Sequence, residues 1–234
     1  MDKAAIITAN KASIFENIKK ACEKAGRDPS GVTVIAVTKT VDAGTIALLK
    51  AAGMEDVGEN RVSIAEEKFP LCPAGIRWHL IGHLQTNKAK KAAKMFDAVH
   101  SVDSERVAEA LSSEAVKAGR NIEALIQVKT TEEETKSGAS SEEAFAVIRK
   151  ALSLPNLRVT GLMTMGPMTG EPEDARPCFR RLAAMLREAK NGLPVGPEFT
   201  KLSMGMTDDY MIALEEGANT LRIGRAFYRG LEPQ

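Results

Sequence analysis

The segment VTVIAVTKTVDAGTIALLKAAG, residues 32–53, contains one complete strand–turn–helix unit. Residues 32–38 are apolar or β-branched and predict a buried strand, whereas residues 42–52 predict a helix that ends at Gly53. The turn between them, TKTV at residues 38–41, contains no glycine. An open dinucleotide-binding sheet usually has a glycine-rich turn at this point, so the segment favours another arrangement of parallel strands.

The same strand–helix pattern recurs along the rest of the chain. Further strands are predicted just before Gly58 and at residues 77–81, 97–101, 122–128, 157–163, 199–203 and 220–223. Helices are predicted at residues 61–68, 86–95, 104–118, 141–152, 173–189 and 207–216. Strands that alternate with helices pair in parallel, and eight such units in about 200 residues suit a closed (β/α)8 barrel of the TIM type. An open doubly wound sheet is the alternative.

The two ends of the chain complete this pattern. Residues 2–25 predict an extra N-terminal helix, and only residues 225–234 follow the last strand, too few for a full outer helix. We therefore expect the N-terminal helix to cover the gap beside the last strand. Because the sequence contains no repeat, low-complexity tract or linker, we expect a single domain over residues 1–234.

The charge balance argues against several kinds of partner. Lys and Arg number 32 and Asp and Glu 31, which gives a formal net charge of +1. Nucleic acids and anionic membranes attract more basic surfaces, so neither is expected as a partner. The longest run without a charged side chain, residues 159–170, is too short to span a membrane. Scattered cysteines and the lack of an apolar signal region predict a cytoplasmic protein, and we expect a monomer.

In a barrel of this type the C-terminal ends of the strands carry the functional site. Lys39 follows the first strand and shares one face with Thr33, Ile35 and Val37, because side chains alternate along a strand. If that face lines the barrel, the amine emerges above an apolar floor that disfavours its charged form. A neutral amine can attack an aldehyde and form a Schiff base. A strand-end lysine that merely reaches water is the alternative.

The last strand, TLRI at residues 220–223, contains a charged residue at an inward position. Alternation directs Leu221 and Ile223 towards the helices and Arg222 towards the barrel interior. An unpaired guanidinium inside a barrel is unstable, so Arg222 requires an acceptor. Either a carboxylate of the protein or a ligand would supply it.

The turns after the seventh and eighth strands form the usual phosphate site of this architecture. Gly205 and Gly224 allow the backbone to approach an anion closely. Ser203 offers a hydroxyl group, and Arg225 offers a positive charge. Together these residues predict an anion site at the mouth of the barrel.

Other polar residues near the strand ends have competing interpretations. Asn60 is expected either to bond a ligand hydroxyl or to cap the next helix. Thr207 is predicted to cap the helix after the seventh strand, and Asp208 and Asp209 favour its positive end. The two histidines of WHLIGHLQ, residues 78–85, have H-x-x-x-H spacing. On an extended segment they lie too far apart to share a metal, so no metal site is expected.

A Schiff-base lysine, an inward arginine and a two-turn phosphate cradle together describe a pyridoxal 5′-phosphate site. Seven segments also match a known family in order: VIAVTKT (34–40), GEN (58–60), WHLIGHLQTNK (78–88), KSG (136–138), GLM (161–163), LSMGMTDD (202–209) and RIG (222–224). With these segments the chain resembles the pyridoxal phosphate homeostasis proteins, the YggS/PROSC-type family. The resemblance implies a barrel similar to the N-terminal domain of alanine racemase.

The resemblance also implies roles for individual residues. Lys39 would hold pyridoxal 5′-phosphate as a Schiff base, Asn60 would lie near the ring hydroxyl, and Arg222 would face the pyridine nitrogen. The phosphate would be bound by Ser203, Gly205, Gly224 and Arg225. The family often has Thr or Ser at the last of these positions, where a side-chain hydroxyl contact is therefore not expected in this chain.

The same residues bear on activity. A cation opposite the ring nitrogen disfavours its protonation, and the ring is then a poor electron sink. Racemisation needs acid–base groups on both faces of the substrate carbon, and related racemases take one from a second domain that is not expected here.

We therefore expect a carrier, not an enzyme. It would act in intracellular pyridoxal phosphate (vitamin B6) homeostasis and affect amino-acid metabolism indirectly, with cofactor-dependent apoenzymes as recipients. A minimal racemase or lyase that uses the same cofactor is one alternative, and an aldolase-type barrel whose lysine reacts with a sugar phosphate is another.

Overall fold

The computed structural model describes residues 2–131, 138–167 and 171–231. Its strands are β1 Thr33–Val37, β2 Asp56–Glu59, β3 Arg77–Leu80, β4 Ala98–Val102, β5 Ile122–Gln127, β6 Leu157–Met163, β7 Lys201–Ser203 and β8 Thr220–Ile223. They form a closed barrel in chain order, with β1 parallel to β8. The predicted closed barrel is confirmed, and the open sheet is excluded. Lys136 and Ser137 of the KSG segment lie outside the described residues.

One helix precedes the barrel and the others surround it. The helices are α1 Lys3–Lys24, α2 Ala43–Ala51, α3 Val62–Lys68, α4 Ala89–Met95, α5 Glu105–Ala118, α6 Ser141–Leu152, α7 Arg176–Gly192 and α8 Tyr210–Glu215. Helices α2 to α8 follow β1 to β7 in turn, and β8 leads into a short 3₁₀ turn, Arg225–Tyr228. No helix in the described ranges is long and apolar enough to cross a lipid bilayer.

Local chemistry sets several helix ends. Asp42 begins α2 by accepting a hydrogen bond from the Thr45 N–H at 2.7 Å. A reciprocal capping box begins α6, in which the Ser140 hydroxyl accepts from the Glu143 N–H and the Glu143 carboxylate accepts from the Ser140 N–H. Gly119 ends α5 with a φ of 63°, a conformation that glycine adopts without strain. These caps explain why the predicted and observed ends agree closely for α2, α5 and α6.

The buried side chains form two layers, one between strands and helices and one inside the barrel. Leu221 and Ile223 belong to the helix-facing layer, so Arg222 between them points inwards, as alternation predicts. Ile35 is fully buried but lies apart from that layer. A Cβ atom added to Gly58 of β2 would lie 2.9 Å from Cγ2 of Ile35. Ile35 therefore lies inside the barrel, as alternation along β1 predicts.

The N-terminal helix fills the place of an eighth outer helix. The side-chain amide of Asn10 in α1 donates to the carbonyls of Phe227 and Arg229, both at 2.9 Å. Arg27, just after the helix, donates to the carbonyls of Leu214 and Ala218 at 2.6 and 2.8 Å. The prediction that α1 covers the gap beside β8 is confirmed.

Helix α8 begins three residues later than the sequence predicts. The predicted cap, Thr207, is wrong, because α8 begins only at Tyr210. Gly205 has a φ of 94°, and the Asp209 carboxylate accepts a hydrogen bond from the Met206 N–H at 2.5 Å. These two features hold the residues between Gly205 and Asp209 in a turn instead of a helix.

A buried carboxylate joins the strands near the N-terminal end of the barrel. Glu123 on β5 is 2% exposed. It accepts hydrogen bonds from Lys201 at 2.5 Å, Thr160 at 2.8 Å and Arg158 at 2.9 Å, and it pairs with Arg77. Burial opposes ionisation, but the Lys201 and Thr160 hydrogen bonds and the Arg77 charge lower the pKa of Glu123 to about 2. This end of the barrel is thus closed by ion pairs, away from the predicted site.

Candidate functional site

Lys39 lies in the turn directly after β1, at the C-terminal end of the barrel. Its side chain is exposed and forms no hydrogen bond or ion pair with another described residue. This exposure differs from the desolvated amine that the strand pattern predicts, because the strand ends two residues earlier, at Val37. The predicted Schiff base on Lys39 stays a prediction.

A buried ion pair fixes the backbone that carries Lys39. The Glu59 side chain is fully buried, and its Oε1 accepts hydrogen bonds from the Thr38 hydroxyl and the Lys68 amine, both at 2.8 Å. The Lys68 amine also donates to the Thr38 carbonyl at 2.8 Å. On the other side, the Tyr228 hydroxyl donates to the Val37 carbonyl at 3.0 Å. Although the sequence analysis did not identify these contacts, the Glu of the GEN segment was a visible signal.

Arg222 is buried inside the barrel with neutral partners only. Its Nη1 donates to the Ser203 hydroxyl at 2.7 Å and its Nη2 to the Thr164 carbonyl at 2.8 Å. No carboxylate of the described residues forms an ion pair with it. Burial lowers the pKa of Arg222 to about 10, against the opposing charge of Asp209, so it stays protonated at neutral pH. The remaining N–H groups of this cation can serve a ligand acceptor.

A row of buried polar groups extends from Ser203 away from Arg222. The Ser203 hydroxyl lies 2.9 Å from Nδ1 of His100, whose Nε2 lies 3.0 Å from Nδ1 of His79. The Nε2 of His79 lies 2.7 Å from the Asp56 carboxylate. The Ser203 hydroxyl therefore supports Arg222 from inside the barrel. Its predicted contact with a phosphate stays a prediction.

The turns after β7 and β8 present unpaired backbone donors. The N–H groups of Gly205, Gly224 and Arg225 have no acceptor among the described residues. At Gly205 the φ of 94° and the crowding exclude a side chain, since a Cβ would lie 2.6 Å from the Cβ of Ala213. Adjacent N–H groups without partners attract anions. The predicted contact of these N–H groups with a phosphate stays a prediction.

The Arg225 side chain is exposed and forms an ion pair with Asp208. The Thr207 hydroxyl accepts a hydrogen bond from the Ala226 N–H at 3.5 Å. Both contacts tie the turn after β7 to the turn after β8. The Arg225 guanidinium is therefore engaged in linking the two turns, and the backbone N–H of Arg225 is the donor left without a partner among the described residues.

Asn60 follows β2 at the same end of the barrel and is partly exposed. Helix α3 begins at Val62 with Arg61 as its first flanking residue, so Asn60 does not cap it. The backbone beside Asn60 is tightly packed, because a Cβ on Gly82 would lie 2.1 Å from the Asn60 carbonyl oxygen. The capping alternative is excluded, and the Asn60 amide has no hydrogen-bond partner within the described ranges.

The two histidines with H-x-x-x-H spacing lie in different environments. His79 is buried inside the barrel, whereas His83 is exposed and contacts Asp103 at 3.1 Å. In the described part of the chain, no group of three or more His, Cys, Asp or Glu residues could hold a metal ion. Trp78 packs against Phe69 in the helix-facing layer, with ring centroids 5.5 Å apart.

Known proteins are similar to this chain over most of its length. Residues 9–232 match the family model described as alanine racemase, N-terminal domain. The pyridoxal phosphate homeostasis protein of Aquifex aeolicus is 37% identical over 216 residues, 92% of this chain and 94% of that protein. The protein of the same name from Pseudomonas aeruginosa is 37% identical over 223 residues, covering 95% and 94% of the two chains.

A solved structure with bound cofactor is also similar. PipY of Synechococcus elongatus PCC7942, with PLP bound, superimposes with a TM-score of 0.82 at 32% identity, covering 95% of this chain and 99% of that one. The chain therefore belongs to the alanine racemase N-terminal domain family of barrels and, within it, to the pyridoxal phosphate homeostasis proteins.

Proposed function

We propose that this protein binds pyridoxal 5′-phosphate through a Schiff base to Lys39 and acts in intracellular pyridoxal phosphate homeostasis. One observation carries the proposal. An exposed amine without a protein partner, a buried guanidinium with only neutral acceptors and three unpaired N–H groups lie at one end of one barrel. These are the groups required by a ligand with an aldehyde, a basic ring nitrogen and a phosphate.

The residues fit the parts of this cofactor separately. Arg222 offers N–H donors to the ring nitrogen, and Asn60 offers an amide to the ring hydroxyl. The N–H groups of Gly205, Gly224 and Arg225 surround the phosphate, with the Arg225–Asp208 pair bracing the two turns. When bound, the cofactor supplies an aldehyde that condenses with an amine. The protein holds this aldehyde at the accessible Lys39 amine.

We propose a carrier without turnover of its own, which passes the cofactor to apoenzymes and so affects amino-acid metabolism indirectly. A guanidinium that donates to the ring nitrogen keeps that nitrogen unprotonated and weakens the ring as an electron sink. Neither tyrosine hydroxyl is directed at the proposed ligand: one is bonded to the backbone of β1, and the other contacts α1 on the outside of the barrel. The Tyr228 hydroxyl donates to Val37, and the Tyr210 hydroxyl is 3.2 Å from the Asn17 amide. The names of the relatives support the same role.

The test compares Lys39→Ala with Lys129→Ala. Lys129 follows β5 at the same barrel end and is the matched control. We expect the parent and Lys129→Ala to acquire visible absorbance with pyridoxal phosphate, and Lys39→Ala to lack it. A Lys39→Ala protein with the parent spectrum would refute the lysine assignment.

A second assay separates carrier from enzyme. Amino acids incubated with the cofactor-loaded protein in deuterated water should keep their α-hydrogen. Saturable exchange that depends on Lys39 would instead support the alternative, a minimal racemase or lyase.

A further inference from the structure

We propose that Asp56, His79, His100 and Ser203 form a directional hydrogen-bonded relay that positions the Arg222 guanidinium. The relay runs through the barrel interior from the proposed ring-nitrogen site towards the opposite end. Its effect on the cofactor rests on the proposed function, whereas its proton positions do not.

The contacts are continuous and cross most of the barrel. They join β8 to β7 at 2.7 Å, β7 to β4 at 2.9 Å, β4 to β3 at 3.0 Å and β3 to β2 at 2.7 Å. His79, His100 and Ser203 are each 1% exposed or less. With water excluded from these atoms, each must find its partner within the relay.

The chemistry of the two ends fixes the direction. A guanidinium only donates, so the Ser203 oxygen accepts from Arg222 and its hydrogen points to Nδ1 of His100. His100 then carries its proton on Nε2 and donates to Nδ1 of His79. His79 likewise carries its proton on Nε2 and donates to Asp56, which is an acceptor when ionised. One set of proton positions satisfies every member, with both imidazoles neutral.

The surrounding charges agree with neutral imidazoles. Burial lowers the pKa of His79, and the charge of Arg77 lowers it further, whereas Asp56 and Glu123 oppose this shift. Burial lowers the pKa of His100 to well below its usual value. The charges of His79, Arg222, Lys201 and Arg77 act in the same direction. Protonating His79 would also set its Nδ1–H against the Nε2–H of His100. A charged ring in this row therefore breaks the relay.

The relay has a clear consequence for Arg222. The hydroxyl of Ser203 cannot rotate away while His100 accepts its hydrogen, so the guanidinium keeps one orientation. His79, His100 and Asp56 act as positioning residues at a distance from any ligand. Removing His100 leaves Ser203 free to turn and loosens Arg222 without touching the mouth.

The first test reads the proton positions directly. The chain contains three histidines, and the exposed His83 serves as an internal control. Nitrogen-15 NMR of histidine-labelled protein without added cofactor should show two neutral rings protonated on Nε2, with a coupling between the two imidazoles. A buried ring protonated on Nδ1, or charged at neutral pH, overturns the relay whether or not the cofactor binds.

The second test reads the effect on bound pyridoxal phosphate. His100→Leu removes both contacts of the ring, whereas His100→Asn retains an acceptor for Ser203. We expect His100→Leu to weaken cofactor affinity about tenfold and to shift the pH midpoint of the visible band. His100→Asn should recover most of the affinity and most of the pH midpoint. The control variant His83→Leu should have the affinity and midpoint of the parent protein.

Folded His100→Leu protein with the parent affinity and midpoint would overturn the positioning role. If His100→Leu does not fold, NMR of the His79 ring in the His100→Asn variant decides whether His100 has the positioning role. A parent protein that binds no cofactor refutes the proposed function alone, and the NMR result still decides the relay.

Discussion

Arg222 donates to the Ser203 hydroxyl at 2.7 Å inside the barrel, although 18 residues separate the two in the chain, and no carboxylate in the described ranges forms an ion pair with the guanidinium. A buried cation that is held only by neutral groups lowers stability compared with a paired one. Such an arrangement is understandable if a ligand completes it. The Arg222–Ser203 contact therefore links the barrel fold to the proposed cofactor, because it holds a buried cation in place for a ligand acceptor.

Replacing this cation should separate binding from stability. Arg222→Met removes the buried charge while leaving Ser203 bonded to His100. We expect the free energy of unfolding without cofactor to change by no more than about 1–2 kcal/mol, because lost hydrogen bonds and relieved desolvation oppose each other. Affinity for pyridoxal phosphate should fall at least about tenfold. Urea unfolding and a visible-band titration measure the two effects, and unchanged affinity would contradict the assigned role.

The turn at Gly205, which we propose binds the phosphate, should not tolerate a side chain. Gly205→Ala forces a Cβ to within 2.6 Å of the Ala213 Cβ at a φ of 94°. We expect a destabilisation of about 1–3 kcal/mol together with weaker cofactor binding. Gly192→Ala is the control, because no heavy atom lies within 4 Å of the new Cβ. Equal stability of the two variants would argue against the turn geometry.

Glu123 should make stability depend on acid pH. The folded state lowers its pKa from 4.5 to about 2, so its contribution is complete above pH 4.5 and is lost as the pH falls towards 2. A shift of this size corresponds to about 3 kcal/mol. Urea unfolding from pH 5 to pH 2.5 should show this loss, and Glu123→Gln should remove that part of the pH dependence while lowering stability at pH 7. A parent-like acid profile in Glu123→Gln would contradict the ion-pair cluster.

The two buried histidines act in a higher pH window. Burial lowers the pKa of both histidines from 6.5, so the unfolded chain binds more protons than the folded protein below that pH. The free energy of unfolding therefore decreases as the pH is lowered. Urea unfolding should therefore show a loss of stability as the pH is lowered from 6.5 to 5.5. His100→Asn should halve this loss. A slope that His100→Asn leaves unchanged would show that His100 does not remain neutral.

The sequence predicted the barrel because each strand and helix has a strong local pattern. Alternation also placed Arg222 inwards, since its neighbours Leu221 and Ile223 are apolar. The cap at Thr207 was wrong because the conformation of Gly205 and the Asp209 contact with Met206 override local propensity. Local patterns could not predict these details of tertiary packing.

The polar row in the barrel was not predicted, because its contacts run between different strands and one of them crosses the barrel from β4 to β7. Asp56 and His100 belong to β2 and β4, and Ser203 lies 103 residues after His100. The available signal was polar residues at inward positions of neighbouring strands. The roles of Lys39 and Asn60 as cofactor ligands remain predictions.

The central claim is a covalent link between pyridoxal phosphate and Lys39. The most direct measurement is borohydride reduction of the loaded protein, followed by proteolysis and mass spectrometry of the labelled peptide. We predict that reduction abolishes the visible band and leaves one stoichiometric label on Lys39. A label on Lys129 or another lysine, or none at all, would contradict the account.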